Sequence, residues 1–196
     1  MDRAALADHR SRALRWAYEV LQLPMVVLDT ETTGLGQRDQ VVQVAVIDHT
    51  GAPLLERLIR PSLPISADAS RVHGLTMDRV RDAPTFPEIY PELLAVLEGR
   101  AIIAYNADFD RRMLNQTCWA YELQEFPGRR WHCAMLRFAE YYGQWNHARR
   151  SFQRQRLGDA CAFLGIPHTG AHSALGDARM TLGLVRRMAE LYAGEK

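Results

Sequence analysis

The chain has 196 residues, of which 47% are hydrophobic and 24% are charged, and its formal net charge is +1. These values are typical of one soluble globular domain with a full core. No apolar run approaches the roughly 20 residues that span a bilayer, which argues against a transmembrane helix and a membrane partner. A net charge this close to zero does not by itself indicate a nucleic-acid binder.

The cysteines and the N-terminus bear on the cellular compartment. Cys118, Cys133 and Cys161 form no CxxC pair and are odd in number, which indicates reduced or buried thiols. The first residues lack the apolar core of a secretory signal. We therefore expect a cytoplasmic protein.

The first predicted element is an amphipathic helix over residues 2 to 22, which lacks Gly and Pro and is ended by Pro24. Because it precedes the first strand, we interpret residues 1–23 as an N-terminal helical extension and residues 24–196 as a single domain. We expect the helix to pack on the body of that domain; contact with a partner is the alternative.

Three strands are predicted next, at 25–29, 41–47 and 53–60, and the turns between them favour an antiparallel meander. A loop is predicted around Pro61 and Pro64. The rest of the chain alternates strands with helices. The predicted strands are 101–104 and 131–133; the predicted helices are 76–81, 87–98, 108–121, a helix through 142, 155–164 and 174–193, with a loop at 143–153. This order indicates an α/β fold, a mixed sheet of about five strands flanked by helices.

Two carboxylates stand where the first strand meets a turn rich in Thr and Gly. Asp29 and Glu31 are two positions apart, so in a strand they project from the same face. Adjacent carboxylates repel each other unless a cation lies between them, and oxygen ligands of this kind suit magnesium or manganese. Taken alone, such a pair is more commonly a solvated strand end.

Further candidates lie at two later positions. Asn106-Ala107-Asp108-Phe109-Asp110 follows the strand at 101–104 and opens a helix, where an acid also stabilises the helix N-terminus. We leave Asp108 out of the site for that reason. Near the end of the chain, Asp177 follows His172 by five positions; a lone histidine there is more commonly a cap or a surface residue.

As a set, these residues resemble the DnaQ-like 3′→5′ exonucleases of the DEDDh type, which have a ribonuclease H-like fold. The resemblance runs from about Met25 to Ala189. It rests on Asp29-Thr30-Glu31-Thr32-Thr33-Gly34-Leu35, on Asn106 to Asp110, and on His172 with Asp177, supported by His73-Gly74-Leu75-Thr76 and by residues 157–166. One departure is Tyr105, where many relatives have His, and this affects only the expected substrate pocket.

The resemblance implies a metal-dependent phosphodiester hydrolase with two Mg²⁺ (or Mn²⁺) ions per site. It implies that Asp29 bridges both ions, that Glu31 and Asp177 complete the first, that Asp110 holds the second largely through water, and that His172 is the general base. The residues implied in substrate binding are Thr32, Thr33, Gly34, Leu35, His73, Asn106 and Phe109. For Phe109, core packing is the alternative.

The partner implied by the resemblance is nucleic acid with a free 3′ end, and single-stranded DNA or DNA ends are the expected substrate. An RNA-trimming enzyme and a polymerase-bound proofreading subunit are the alternatives. The chain ends soon after its last helix, which does not favour polymerase association. A homodimer is possible, and nothing in the sequence decides it. A basic, aromatic segment at 145–156 is suited to a single strand or is simply a solvated loop.

Overall fold

The structure is a computed structural model that describes residues 3–126, 130–167, 170 and 172–194. Its central sheet contains five strands. They are β1 Met25–Thr32, β2 Val41–Ile47, β3 Pro53–Leu58, β4 Ala101–Ala104 and β5 Trp131–Cys133. They lie in the order β3-β2-β1-β4-β5. The first three form the predicted antiparallel meander, and β4 and β5 join in parallel, so the predicted fold class is confirmed.

Eight helices surround the sheet in the described part of the chain. They are α1 Arg3–Val20, α2 Ala67–His73, α3 Met77–Val80, α4 Phe86–Leu97, α5 Ala107–Ala120, α6 Ala134–Tyr142, α7 Leu157–Phe163 and α8 Ala174–Gly194. None of them combines the length and the apolar character that crossing a bilayer requires.

The two faces of the sheet are covered by different helices, because side chains alternate along a strand. Val27 of β1 belongs to a core cluster with residues of α1, α6, α7 and α8. Val26 and Leu28 belong to a second cluster with residues of α4 and α5. The alternation continues past the apolar run, so Asp29 and Glu31 emerge on the α8 side and Thr30 on the α5 side.

Helix α1 is part of the first core cluster. Ala13, Leu14, Ala17 and Val20 are buried in it, and the helix lies against α8 and α6. The expectation that this segment packs on the body of the domain is confirmed. Its division from residues 24–196 as a separate extension stays a prediction.

Two segments that we predicted as loops contain regular structure. Helix α2 lies within the segment around Pro61 and Pro64, and the segment 143–153 contains a hairpin of β6 Trp145–Asn146 and β7 Ser151–Phe152. The signals for α2 were present: the Ser66 hydroxyl accepts a hydrogen bond from Ala69 N at 3.2 Å, and Gly74 ends the helix at φ +72°. The loop predictions were therefore wrong at these positions.

Candidate active site

Three carboxylates meet at the carboxyl end of β1. Oxygen atoms of Asp29, Glu31 and Asp177 all lie within 4.8 Å of one another, and the three residues are half-buried. Asp29 and Glu31 project from β1 on the side that α8 covers. Asp177 lies in the first turn of α8, which packs on β1 and β2. Sequence positions almost 150 apart thus form one acidic cluster.

Asp110 approaches this cluster from the opposite face of the sheet. It is 3% exposed and lies in the first turn of α5, which begins directly after β4. Because β4 runs parallel to β1, their carboxyl ends meet at the same edge of the sheet. The Thr30 hydroxyl donates a hydrogen bond to Asp110 Oδ1 at 2.8 Å, which fixes the orientation of this carboxylate.

Burial and mutual repulsion raise the pKa values of these groups. The pKa of Asp29 lies well above its usual range because the carboxyl is buried and because Asp110, Glu31 and Asp177 carry like charge. Burial raises the pKa of Glu31 to about 7, helped by Asp177 and Asp110. Burial also raises the pKa of Asp110 to about 7, although the Thr30 hydrogen bond opposes the shift. Keeping these carboxyl groups ionised without a cation therefore costs the folded protein free energy.

The donor set fits a hard divalent cation. Among the described residues, the ligand atoms that converge here are carboxylate oxygens, and such ligands suit Mg²⁺ or Mn²⁺ better than soft metals. Positive charge between these carboxylates would remove the repulsion that raises their pKa values. The residues present thus fit the metal that the sequence implies.

His172 lies beside the acidic cluster in an exposed turn. Its backbone N–H donates to Asp177 Oδ1 at 3.3 Å, and its φ of +67° is in the left-handed region. The turn is connected to α8 through Ser173, whose hydroxyl donates to Gly170 O at 2.8 Å and accepts from Gly176 N at 3.2 Å. The histidine is thereby attached to the helix that carries Asp177.

A groove of about 430 Å³ opens next to Glu31 and contains five of the predicted substrate residues. They are Thr32, Gly34, Leu35, His73 and Phe109. Leu35 is 77% exposed at the rim, and Phe109 is half-buried with the Arg112 guanidinium 5.3 Å from its ring centroid. Helix α2 supplies much of the opposite wall, so the loop prediction there missed part of the groove.

His73 joins that wall to the β1 strand. Its Nδ1 accepts a hydrogen bond from Leu75 N at 3.0 Å, so Nε2 carries the hydrogen and donates to Thr32 O at 3.1 Å. Burial lowers the pKa of His73, which favours this neutral form. His73 thus holds the backbone of the groove floor while its ring lines the groove.

Thr33, Asn106 and Tyr105 lie outside the groove lining. Thr33 is fully buried, and Asn106 is half-buried at the N-terminus of α5. The Tyr105 hydroxyl donates to Gln155 O at 2.7 Å, so this departure from the usual histidine connects β4 to the segment before α7.

Sequence reasoning missed two residues that hold the site loops. Asp39 accepts hydrogen bonds from the Thr33 hydroxyl and from Gly36 N, both at 2.6 Å, and its carboxylate lies so close to Gly34 that a Cβ there would be 2.7 Å away. Gln43 Oε1 accepts from Ala174 N at 3.2 Å, which connects β2 to the start of α8. Gln43 could have been noticed in the sequence, because it is the polar residue within the otherwise apolar run 41–47.

Comparison with known proteins identifies the family. The RNase_T family model, described as "Exonuclease", matches residues 26–185. The chain belongs to this exonuclease family. An uncharacterized exonuclease CP81 of Escherichia phage 186 is 36% identical over 185 residues, which are 91% of this chain and 93% of that protein. A DNA polymerase III subunit epsilon from Treponema pallidum is 26% identical over 183 residues, covering 91% of this chain and 82% of that protein.

The structural similarity agrees with this assignment. E. coli exonuclease I in complex with a dA16 oligonucleotide superposes with a TM-score of 0.71 at 16% identity, covering 87% of this chain and 41% of that one. The predicted ribonuclease H-like fold is confirmed by this likeness. The predicted membership of the DnaQ-like DEDDh 3′→5′ exonucleases is confirmed as well, and the protein is an enzyme of that family.

Proposed function

We propose that the protein removes nucleotides from the 3′ end of single-stranded DNA or of DNA ends and releases nucleoside 5′-monophosphates. The single observation that carries this proposal is the meeting of Asp29, Glu31 and Asp177 within 4.8 Å, beside a groove suited to a nucleotide. DNA is favoured because the epsilon subunit and the dA16 complex are named for DNA.

Asp29, Glu31, Asp110 and Asp177 are the residues that would hold two Mg²⁺ or Mn²⁺ ions, with Asp29 shared. When bound, such ions supply charge neutralisation to the phosphate and lower the pKa of water. The proposed role of the chain's own carboxylates is to hold these cations at the end of β1, where the scissile phosphate would bind. The mutual repulsion of these carboxylates supports the assignment, since it would be costly without a cation.

His172 is the proposed general base. Its imidazole would accept a proton from the attacking water as the new O–P bond forms and the bond to the 3′ oxygen of the preceding nucleotide breaks. Histidine is the side chain that most often acts as a general base in catalysis near neutral pH. The backbone bond from His172 to Asp177 supports the assignment because it keeps the histidine next to the acidic cluster.

Leu35, His73 and Phe109 are proposed to enclose the terminal nucleotide, with backbone from Thr32 to Gly34 beside it. Their common position around one groove supports this role. Thr33 and Asn106 stay proposed substrate residues that would act through the backbone around the groove.

A proofreading subunit bound to a polymerase is the second candidate, because a polymerase subunit is among the relatives. Polymerase association is still not favoured. A homodimer and a cytoplasmic location stay predictions.

Digestion of end-labelled oligonucleotides tests the proposal. DNA and RNA substrates, single- and double-stranded, would carry a label at the 5′ or the 3′ end, with Mg²⁺, Mn²⁺ or EDTA present. We expect a ladder from 5′-labelled single-stranded DNA, immediate release of mononucleotide from the 3′ label, and no cleavage in EDTA. Degradation from the 5′ end, or full activity in EDTA, would contradict the proposal; faster cleavage of RNA would change the substrate.

A further inference from the structure

A second cavity, of about 490 Å³, lies at the open edge of the sheet next to the groove. Its walls include Trp16 of α1, Arg111 of α5, His132 of β5 and Arg137 of α6. Asp108 lines this cavity and the next residue, Phe109, lines the groove, so the first turn of α5 separates the two. Strand β5 is two strands from β1, about 10 Å at the usual strand spacing.

One wall of this cavity is an addition to the family core. The family model begins at residue 26, whereas Trp16 lies in α1. The Trp16 indole donates a hydrogen bond from Nε1 to His132 Nδ1 at 3.3 Å. The Arg137 guanidinium lies 5.9 Å from the centroid of the Trp16 ring. The N-terminal helix thus completes a cavity that the matched residues alone would leave open on this side.

The hydrogen bond from Trp16 defines the state of His132. Because Nδ1 accepts, the hydrogen of the neutral ring is on Nε2. Burial and the nearby Arg137 charge lower the pKa of His132, which favours the same neutral form. The cavity thus contains an uncharged imidazole that can still donate a hydrogen bond.

Two arginines give the cavity donors for a phosphate. Arg111 lies 3.9 Å from Asp108, whose side chain is 80% exposed, and Arg137 lies 3.1 Å from Glu140. A guanidinium has five N–H donors and a carboxylate engages two of them at most in a fork. Donors therefore remain on both arginines after the contacts with their acidic neighbours.

We propose that this cavity binds the substrate strand a few nucleotides before the scissile bond, with Arg111 and Arg137 on the phosphates and Trp16 beside a base. Positive side chains combined with aromatic rings are the usual means of binding a single strand without sequence preference. The inference rests on the proposed function, since the strand must have its 3′ end in the groove. The N-terminal helix would then contribute to substrate length preference.

The test compares one short and one long substrate. The p-nitrophenyl ester of thymidine 5′-monophosphate reaches only the groove, whereas a single-stranded decanucleotide reaches the cavity. We expect Arg111→Ala combined with Arg137→Ala to raise KM for the decanucleotide about tenfold or more, as expected for lost charge-assisted contacts. The kcat for both substrates and the KM for the ester should not change.

Arg187→Ala is the matched control. Arg187 pairs with Glu190 at 3.0 Å with the same i, i+3 spacing as Arg137 and Glu140, yet it lies on α8 away from the cavity. It should leave both KM values unchanged. Salt dependence adds a second reading: each phosphate contact removed should reduce the slope of log K against log salt by about 0.7.

Tryptophan fluorescence reports on Trp16 directly. The decanucleotide should quench the emission of the Asp29→Asn protein, and Trp16→Phe should remove part of that quenching. If the double arginine variant raises the KM of the ester as much as that of the decanucleotide, or leaves the salt slope unchanged, the cavity does not bind the strand. If wild type cleaves neither substrate, the proposed function itself fails.

Discussion

The carboxylates and the histidine of the site lie in different surroundings. Buried neighbours on β1 and α5 flank Asp29, Glu31 and Asp110, whereas His172 lies in an exposed turn next to the same cluster. The carboxylates are positioned by the sheet, by two core clusters and by the Thr30 hydrogen bond. The histidine is positioned by one backbone hydrogen bond and by Ser173. The carboxylates are thus preorganised against their own repulsion, whereas the contacts that the described residues make to the turn of the proposed base are local.

There is a physical reason for holding the carboxylates and the histidine in different ways. Like charges must be held together by the fold, because they would otherwise separate. A general base needs hydrogen-bonding reach to its proton only when substrate is bound, and its contacts are commonly looser without substrate. Variants on the two sides of the comparison should therefore fail in different ways.

The largest expected effect is that of Asp29→Asn. Loss of the central carboxylate should reduce kcat on a 5′-labelled oligonucleotide by at least about 10³, since it should cost as much as losing a general base. It should also weaken Mn²⁺ binding measured by calorimetry. The exposed Asp82→Asn serves as the control and should match wild type. Near-normal activity of Asp29→Asn would remove this residue from the centre of the site.

His172→Ala should reduce kcat by about 10²–10⁴ and leave Mn²⁺ affinity within a few fold. The physical reason is that the side chain would act on the proton of water, while its backbone N–H still binds Asp177. His49→Ala, at an exposed histidine in the turn between β2 and β3, should have no effect. Wild-type cleavage by His172→Ala, or loss of metal binding, would contradict the separation between the two regions.

Gly176→Ala tests whether local contacts position the base. A Cβ on Gly176 would overlap the carbonyl oxygen of Gly170, so the turn that carries His172 must move. We expect kcat to fall by about tenfold or more, as occurs when a catalytic group is misplaced by about 1 Å, with little change in the free energy of unfolding. Gly194→Ala, which meets no neighbour within 4 Å, is the control and should keep full activity.

The smallest expected effect concerns stability. The pKa values of Glu31 and Asp110 are raised to about 7 from ordinary carboxyl values near 4. At pH values between these two limits, the folded state therefore binds more protons than the unfolded state. The metal-free protein should consequently lose stability as the pH rises from about 4 to 7. Mg²⁺ should consequently raise Tm more at pH 8 than at pH 5.

Asp110→Asn provides the matching control for this measurement. Removing one negative charge should raise the Tm of the metal-free protein at pH 8 by about 2–4 °C for each kcal/mol gained. The gain is reduced because the Thr30 hydroxyl then donates to a neutral amide oxygen, which is a weaker acceptor. The variant should also respond less to Mg²⁺. An equal Mg²⁺ response at both pH values would indicate that the carboxylates are not repelling each other.

Much of this architecture could be predicted from the sequence because its signals are local. The apolar runs of β1 and β2 and the alternation at Asp29 and Glu31 follow from residues a few positions apart. Helix α2 was missed although Ser66 and Gly74 mark its ends, because it is short and closely follows Pro61 and Pro64. It is also fixed in part by a distant contact, since Ser66 N donates to Thr33 O at 2.9 Å. That contact depends on a segment more than thirty residues earlier.

The sequence by itself determined which acidic residues and which histidine are candidates, their order, and the face of β1 from which Asp29 and Glu31 project. Only the tertiary structure decided that Asp177 and Asp110 reach them from opposite faces, that Asp39 and Gln43 hold the surrounding loops, and that Trp16 completes a second cavity. Strand alternation and helix periodicity are written in neighbouring residues. Contacts between distant segments arise from how the helices cover the sheet, which no local pattern specifies.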